Sequence, residues 1–368
     1  MVCPRHRAKL IWPILEGAIV PKVKHQNATV YGIDLGKTTF HVVGMDATGL
    51  PIQRAKFTRK TIFSFFEEAP SALIGMEACP GSQWLARKLL AMGHRVKIIP
   101  AQFVKPFVKS NKNDTLDAEA IAEAVVRPTM RFVKIRDEDQ IDMQALHRIR
   151  SRLVSSRTQL INQMRALCLE YGVAIRNGAG VFKLDLPRVL ADQTNDLSAN
   201  MRRILADQFD DLAVLEARTA TVTREIEAHA ARDDVARRLM TIPGIGPLGA
   251  TALLAAVGDG KQFAKARDLA SWLGLVPRQH STGGKPTLLG ISKRGNPYVR
   301  RLFIHGARAC MIHLKSVRDR FGNWIARLKL RMHPNKVVVA LANKIARIAW
   351  VILNKPGALY ERVDPAHA

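Results

Sequence analysis

The sequence has few cysteines, and their placement limits the chemistry available to it. Cys3, Cys79, Cys168 and Cys310 are scattered through 368 residues, without a C-x-x-C pair or a histidine at zinc-ligand spacing. This pattern argues against a cysteine-based zinc site and favours reduced thiols in a cytoplasmic protein.

Long apolar runs are also missing, so we expect no membrane partner. Residues 1–27 place basic side chains before a short apolar stretch, as signal peptides do. Pro13, Glu16 and Pro21 interrupt that stretch, and no convincing small-residue cleavage site follows. We therefore expect residues 1–27 to be a loosely ordered extension and residues 356–368 to be a tail.

Acidic residues are outnumbered by basic ones. The chain has 57 Lys and Arg against 31 Asp and Glu, a net charge of +26. A chain this basic binds polyanions, and nucleic acid is the natural partner. A small cationic or ribosome-associated protein would share this charge, but 368 residues with 47% hydrophobic content can build two or three packed domains. A folded nucleic-acid enzyme is the favoured interpretation.

The residue pattern predicts three domains. Residues 28–130 alternate β-type and helical runs, which indicates an α/β domain with a mixed sheet. Residues 131–238 have apolar residues three and four apart and arginines on the other face. This predicts long helices in an antiparallel or intermolecular coiled coil, joined by a loop-rich hairpin over residues 177–200. Residues 239–355 return to glycine-rich turns and basic helices, which predicts a mostly α C-terminal domain.

Four carboxylates stand out in the first domain. Asp34 lies inside an apolar strand and Glu77 near the end of a later one, where a buried acid needs a partner or a cation. Asp114 and Asp117 are three apart at the start of a helix, on one face. Such a set can bind Mg²⁺, or Mn²⁺ as an alternative, for phosphoryl transfer. The plainer interpretation makes Asp114 a helix cap and Asp117 a favourable first-turn acid.

The turn GIDLGKTT, around Gly36, admits a rival interpretation. Actin-like and heat-shock-type ATPases have a similar strand turn, where Lys37 and the turn amides would contact phosphate. Those enzymes need a second lobe of the same fold and a glycine-rich adenosine motif. Arginine-rich helices follow here instead, so the ATPase interpretation is the weaker one.

Two elements of the third domain are candidates for nucleic-acid contact. The segment PGIGPLGA, with Gly244 and Gly246, has the helix-hairpin-helix pattern, whose amides can face a DNA phosphate. An ordinary αα-hairpin turn is the alternative. In HSTGGK, Ser281 lies in a glycine-flanked turn among basic residues. A serine there can attack a phosphodiester when it is activated and cations hold the phosphate, although most loop serines only form turns. The predicted nucleic-acid contacts are Gly244, Gly246, Arg278, Lys285, Lys293, Arg294, Arg300 and Arg301.

These residues resemble a known family. YGIDLGKTTFHVVGMD, IGMEAC and NKNDTLDAEAIAEA, with GLVPRQHSTGGK and ISKRGNPYVRRLFIHGA, are similar to the DEDD-type insertion-sequence transposases. That family includes relatives of pilin-gene invertases and is guided by a bridge RNA. The resemblance covers about residues 28–350 and leaves the N-terminal extension outside.

The resemblance implies a fold, a site and partners. It implies a RuvC-like domain with a ribonuclease-H-like fold and an acidic tetrad of Asp34, Glu77, Asp114 and Asp117. It also implies that Ser281 forms a covalent phosphoserine with DNA. Ser292 is a less favoured candidate, because its role could be to cap the basic segment after it. A non-coding guide RNA and a tetrameric synapse are implied as well.

The sequence therefore predicts a transposase that recombines element-end and target DNA with Mg²⁺ and Ser281, as a dimer or tetramer. Two alternatives stay open. A structure-selective Holliday-junction endonuclease would need the tetrad but not Ser281. A non-catalytic DNA or RNA architectural protein would need only the basic surface, including the long arginine-bearing helices.

Overall fold

The computed structural model describes residues 25–109, 113–313 and 320–361. The chain divides into two compact units, the first ending at Ile135 and the second beginning at Arg136. The expected N-terminal extension lies outside the described residues as far as residue 24, and the expected tail lies outside them from residue 362. The domain boundaries near residues 130 and 238 stay predictions.

The first unit is built on a five-stranded sheet in the order β3-β2-β1-β4-β5. β1, β2 and β3 form an antiparallel meander, while β4 lies parallel to β1 and β5 parallel to β4. This topology is compatible with the expected ribonuclease-H-like fold. The strands are β1 (Val30–Leu35), β2 (Thr39–Met45), β3 (Pro51–Thr58), β4 (Leu73–Glu77) and β5 (Arg95–Ile99).

Helices cover both faces of this sheet. On one face, alternate strand residues such as Tyr31, Ile33 and Met76 are fully buried in a core that includes residues of α1 and α2. On the other face, α4 packs against β1, β2 and β4. The helices of this unit are α1 (Thr61–Glu68), α2 (Ser82–Ala91), α3 (Ala101–Val104) and α4 (Asp114–Val125). No second such sheet, as the ATPase interpretation requires, occurs in the part of the chain that the structure describes.

The second unit begins with two long helices, α5 (Glu138–Glu170) and α7 (Ala199–Arg232). A capping box between Asp137 and Gln140 starts α5. Arg150 on α5 donates a hydrogen bond to Thr223 on α7, and Arg157 faces Glu216, so the two helices lie antiparallel. The expected antiparallel packing is therefore present within one chain. A strict coiled coil stays a prediction.

A third helix, α6 (Ala179–Ala191), occupies the segment for which we expected a loop-rich hairpin. That expectation is wrong for residues 179–191, while the segment does join the two long helices as expected. Phe182 and Leu186 are four residues apart and fully buried between α5 and α7. Burial of this apolar face outweighs the local breaking tendency, and the helix continues past Pro187.

The described residues in the remainder of the second unit form helices, connecting loops and one β-hairpin. Its core is α13, which packs against α10 and α11. The elements are α8 (Asp234–Met240), α9 (Pro247–Val257), α10 (Ala266–Trp272), β6 (Pro277–Thr282), β7 (Lys285–Ile291), α11 (Pro297–His313), α12 (Arg320–Lys329) and α13 (Pro334–Asn354).

α13 corrects one expectation from the sequence. It is long and apolar enough to cross a membrane, although we expected no such segment. Half of its most apolar stretch is buried inside the protein, and Val337, Leu341 and Ile345 lie fully in the core. Packing within the second unit thus accounts for the buried half of this stretch.

Candidate active site

Asp34 and Glu77 lie side by side at one edge of the sheet. β1 and β4 are parallel, and Ile33 pairs in register with Met76, so the next residues on the two strands are neighbours. Side chains alternate along a strand, so Asp34 shares a face with Gly32, and Glu77 shares it with Gly75. Both carboxylates are half-buried on the face that α4 covers.

Two glycines allow α4 to approach this edge closely. A Cβ on Gly32 would lie 2.0 Å from the carbonyl oxygen of Ala118, and one on Gly75 would lie 2.8 Å from Cβ of Val125. Only glycine fits at such contacts. The close crossing brings Asp117, which precedes Ala118 on α4, towards the strand carboxylates.

Charge repulsion shows that three of the predicted acids share one patch. The pKa of Glu77 is raised above its usual value, first by burial and then by the negative charges of Asp34 and Asp117. The pKa of the Cys79 thiol is raised by burial and by Glu77 and Asp34. Sequence reasoning did not assign Cys79 to this site, although it follows the Glu77 strand by only two residues.

Asp114 is tied to the patch through a residue that sequence reasoning missed. His41 on β2 pairs in register with Asp34 on β1, and its Nδ1 lies 3.6 Å from Oδ2 of Asp114. The available signal was the short turn after Leu35, which places His41 opposite Asp34 once the two strands pair. A lone histidine in an apolar strand carries too little information to be chosen without that register.

The interpretation of Asp114 as a helix cap is wrong. Asn113 caps α4, and its side-chain oxygen accepts a hydrogen bond from the backbone N–H of Thr115 at 3.0 Å. Asp114 is the first residue of the helix. It is therefore not needed for the cap.

The next acids of α4 have ordinary cationic partners. Glu119 pairs with Arg54 at 3.0 Å, and both Glu119 and Glu123 pair with Lys109. These ion pairs distinguish Glu119 and Glu123 from Asp117, which adds to the charge repulsion on Glu77.

The chemistry of the carboxylate patch fits a divalent cation. The negative charges of Asp34 and Asp117 raise the pKa of Glu77 in this half-buried patch of hard oxygen donors, and Mg²⁺ would neutralise that repulsion. In the described parts of the chain, however, no three His, Cys, Asp or Glu side chains are placed closely enough to hold a metal ion.

Ser281 lies on an exposed β-hairpin formed by β6 and β7. It pairs in register with Pro286, and its Oγ accepts a hydrogen bond from the Gln279 amide at 2.8 Å. The expectation that Ser281 sits in the turn itself is wrong. Gly283 and Gly284, both with positive φ, make a two-residue turn whose twist matches the strands, so pairing extends to Thr282.

Ser292 is placed differently from Ser281. Its Oγ is buried and has no hydrogen-bond partner among the described residues. The expectation that it caps the following basic helix is wrong, since Oδ1 of Asn296 accepts from the N–H groups of Tyr298 and Val299 at the start of α11. Ser281 is the serine accessible to a large substrate.

The predicted basic contacts divide into exposed and engaged side chains. Arg278, Lys285, Lys293 and Arg294 are exposed on the hairpin and the segment after it. Arg300 instead donates to the carbonyl oxygens of Leu273 at 3.0 Å and Arg294 at 2.7 Å, and burial lowers its pKa. Arg301 is exposed, donates to Ser151 and lies over the Tyr298 ring.

The two glycines of the PGIGPLGA segment have different surroundings. α8 and α9 are joined by a tight turn in which Gly244 has φ +90° and packs against Gly306 of α11. Gly246 is exposed, precedes α9 and has open space around it. The two helices and the tight turn between them are present, while a helix-hairpin-helix that contacts DNA stays a prediction.

Comparison with known proteins gives this site its setting. Residues 236–322 match the model of the transposase IS116/IS110/IS902 family, and residues 31–172 match a DEDD-type IS110 transposase model. The first match covers Ser281 and its hairpin. The second covers all four acids.

Full-length relatives agree with these matches. The transposase for insertion sequence element IS1328 of Yersinia enterocolitica is 44% identical over 326 residues, which are 89% of this chain and 97% of the relative. The transposase for insertion sequence element IS1111A of Coxiella burnetii is 42% identical, over 89% and 90% of the two chains.

A more distant relative acts in gene inversion. The pilin gene-inverting protein of Moraxella bovis is 32% identical over 124 residues, which are 32% of this chain and 37% of the relative. Because it has this carboxylate patch and aligns with the two transposases over nearly their whole length, the chain belongs to the IS110/IS116 family of insertion-sequence transposases, enzymes that cleave and rejoin DNA.

Proposed function

We propose that the protein is a site-directed DNA recombinase that uses Ser281 as nucleophile and Asp34, Glu77, Asp114 and Asp117 as its acidic tetrad. The observation that carries this proposal is the carboxylate patch, in which Asp34 and Asp117 raise the pKa of Glu77. Perturbed acids of this kind are typical of functional sites. The exposed Ser281 on a basic hairpin supplies a nucleophile that structural packing does not require.

The serine step exchanges one phosphodiester bond for another. Oγ of Ser281 attacks the scissile phosphorus, so that an Oγ–P bond forms while the bond from phosphorus to one deoxyribose oxygen breaks. The hydroxyl proton passes to a base, and the departing oxygen takes up a proton. A deoxyribose hydroxyl of the partner strand then attacks the phosphoserine, which rejoins DNA and restores Ser281.

Nearby cations have a clear task in this step. Arg278 and Lys285 flank Ser281 on the two strands of the hairpin and are exposed. Positive charge there stabilises the negative charge that develops on the phosphate oxygens. Gln279, which already donates to Ser281 Oγ, orients the hydroxyl.

Asp34, Glu77, Asp114 and Asp117 are the residues that would hold Mg²⁺, or Mn²⁺ in its place. Bound there, the ion supplies charge stabilisation for phosphoryl transfer. The chain's own contribution is positional. Gly32 and Gly75 let α4 lie close to the strands, and His41 stands beside Asp114.

The proposed partners follow the family resemblance. They are element-end and target DNA, a non-coding guide RNA, and further copies of this chain in a dimer or tetramer that acts in the bacterial cytoplasm. A net charge of +26 supports polyanion binding. The exposed arginines of the long helices offer a surface for RNA or for a second copy.

The test is a covalent-adduct assay. Purified protein is incubated with element-end DNA, RNA transcribed beside the gene, and Mg²⁺, and a denaturing gel is examined for protein attached to DNA. We expect a metal-dependent adduct that Ser281→Ala and Asp114→Ala both abolish. Thr282→Ala, an exposed hydroxyl on the same strand, is the matched control and should retain the adduct.

The same gel distinguishes the proposed recombinase from the alternative, a junction endonuclease. DNA that is cut without an adduct, at a rate unchanged by Ser281→Ala, would assign the chain to junction nucleases that act without a covalent intermediate. Recombination that survives both Ser281→Ala and Asp34→Ala would overturn the proposal as a whole.

A further inference from the structure

A cavity of about 710 Å³ opens in the second unit, beside the base of the serine hairpin. One wall is a face of α13, and another is Trp324 of α12 together with Met332. Pro277, at the start of β6, and Ile291, at the end of β7, complete the rim. A cavity of this size accommodates a small organic group such as a nucleotide.

The cavity is cationic as well as apolar. Lys336, Lys344 and Arg347 of α13 line it, and none of the described residues on its walls is a carboxylate. Lys336 and Arg347 are exposed, and the Lys344 ammonium lies 4.3 Å from the centre of the Trp324 ring. An aromatic wall next to three cations suits a ligand with a flat ring and a negative charge.

Charge selects between the candidate occupants. The N-terminal segment, residues 1–24, has five Lys and Arg against one Glu, so the cationic wall would repel it. A second copy of this chain carries a net charge of +26, so the cationic wall would repel it as well. A nucleotide offers both a planar base for the Trp324 side and a phosphate for Lys336 and Arg347.

We propose that this cavity binds one unstacked DNA nucleotide, with its base against Trp324 and Met332 and its phosphate at Lys336 and Arg347. DNA is the source because Pro277 and Ile291 are the two ends of the hairpin that carries Ser281. A strand bound along the hairpin from Ser281 to its base would therefore pass the rim of the cavity. This inference rests on the proposed function of Ser281.

The cavity also contacts the framework of the hairpin. Nδ2 of Asn343, a lining residue on α13, donates to the carbonyl oxygen of Leu275, two residues before β6. A nucleotide in the cavity would thus lie against the same backbone that begins the serine strand. The expected benefit is that the bound strand is held in position as it passes Ser281.

Photo-crosslinking of the full-length protein tests this inference. Element-end DNA is prepared with 4-thiothymidine at successive positions near the cleavage site, and the crosslinked peptide is identified by mass spectrometry. We expect one position to crosslink to the peptide that contains Trp324 or Met332. RNA of the same sequence with 4-thiouridine forms the second arm, and crosslinking of RNA alone would overturn the DNA assignment.

Variants give an independent measurement. Trp324→Ala and Arg347→Ala should each weaken binding of the element-end strand about tenfold and remove the crosslink. Arg327→Ala, an exposed cation on α12 outside the cavity, is the control and should leave both unchanged. Because Arg347 is exposed, its loss should not unfold the protein, and equal melting temperatures would verify this.

The outcomes distinguish this inference from the proposed function. A Ser281 adduct that forms normally, with crosslinks only elsewhere and wild-type affinity in both cavity variants, would overturn the cavity assignment alone. If the wild-type protein forms no Ser281 adduct but the Trp324 crosslink is present, the serine mechanism would be overturned. The nucleotide site would still stand.

Discussion

At the scale of single residues, Glu77 shows a conflict between stability and function. Its pKa is raised by burial and by the charges of Asp34 and Asp117, so its ionised form is disfavoured in the native protein. Below the usual pKa of a glutamate, Glu77 is protonated in both the native and the unfolded state, so its ionisation does not change the free energy of unfolding. As the pH rises through the raised pKa, ionisation destabilises the native state relative to the unfolded one.

Glu77→Gln should therefore raise the melting temperature of the metal-free protein at neutral pH while it abolishes DNA cleavage. The gain should be below about 1 kcal/mol, because solvent screens half-exposed charges, and it should vanish at acid pH. Thermal denaturation in EDTA measures it, with the exposed Glu67→Gln as control. A neutral-pH melting temperature no higher than that of the wild type would contradict the repulsion.

His147 is a second residue with a perturbed pKa, and the sequence had suggested no role for it. It is buried, with its ring nitrogens 3.0 Å from the Tyr298 hydroxyl and 2.9 Å from Thr251 Oγ1. Burial and the neighbouring Arg150 lower its pKa to about 4. The unfolded chain takes up this proton near pH 6.5, but the native protein does so only near pH 4.

Native stability should thus fall by about 3 kcal/mol at most as the pH drops from 6.5 to 4, and the loss should level off below that. Other groups titrate in the same range, so the comparison is with His147→Gln. Urea unfolding should find this variant less stable at pH 7, with a gap that narrows towards pH 4. The exposed His305→Gln should show no such change, and a constant gap for His147→Gln would refute the assignment.

At the scale of elements, the contact between the α8–α9 turn and α11 decides how the second unit packs. Gly244 and Gly306 meet backbone to backbone, and a Cβ on Gly306 would lie 1.8 Å from the Gly244 oxygen. The obstacle is backbone rather than a flexible side chain. The elements would have to separate to admit even one methyl group.

Gly306→Ala should therefore destabilise the second unit by about 3 kcal/mol or more, measured by chemical denaturation. Gly249→Ala is the matched control within α9, because its added Cβ would lie 3.5 Å from Ile245 in ordinary contact. That variant should gain roughly 0.5–1 kcal/mol from helix propensity. Equal stabilities for the two variants would show that the contact is looser than described.

The secondary-structure elements also show which features could be predicted from the sequence and which could not. The acids Asp34 and Glu77 could be located because apolar strands reveal their own alternation and parallel strands align their ends. His41 and the Gly244–Gly306 contact could not, since each depends on which distant segments pair. For α6, we expected a loop-rich hairpin, while burial of Phe182 and Leu186 by two other helices stabilises a helix.

At the scale of the whole molecule, charge is the property that composition predicts best and that governs DNA affinity. A net charge of +26 attracts DNA through its phosphates whatever the base sequence. Each neutralised phosphate releases counterions, so the affinity depends steeply on salt. The exposed Arg278 and Lys285 on the serine hairpin are part of this charge.

Affinity for element-end DNA should fall by about 10³–10⁵ between 50 and 200 mM salt, as for proteins that make roughly 6–10 phosphate contacts. Fluorescence anisotropy across this range gives the slope of log K against log salt. Arg278→Ala and Lys285→Ala should each reduce that slope by about one, whereas Glu77→Gln, at the carboxylate patch, should leave it no shallower. A slope that neither cation changes would mean that the serine hairpin does not contact the DNA backbone, and Ser281 would then lack access to its substrate.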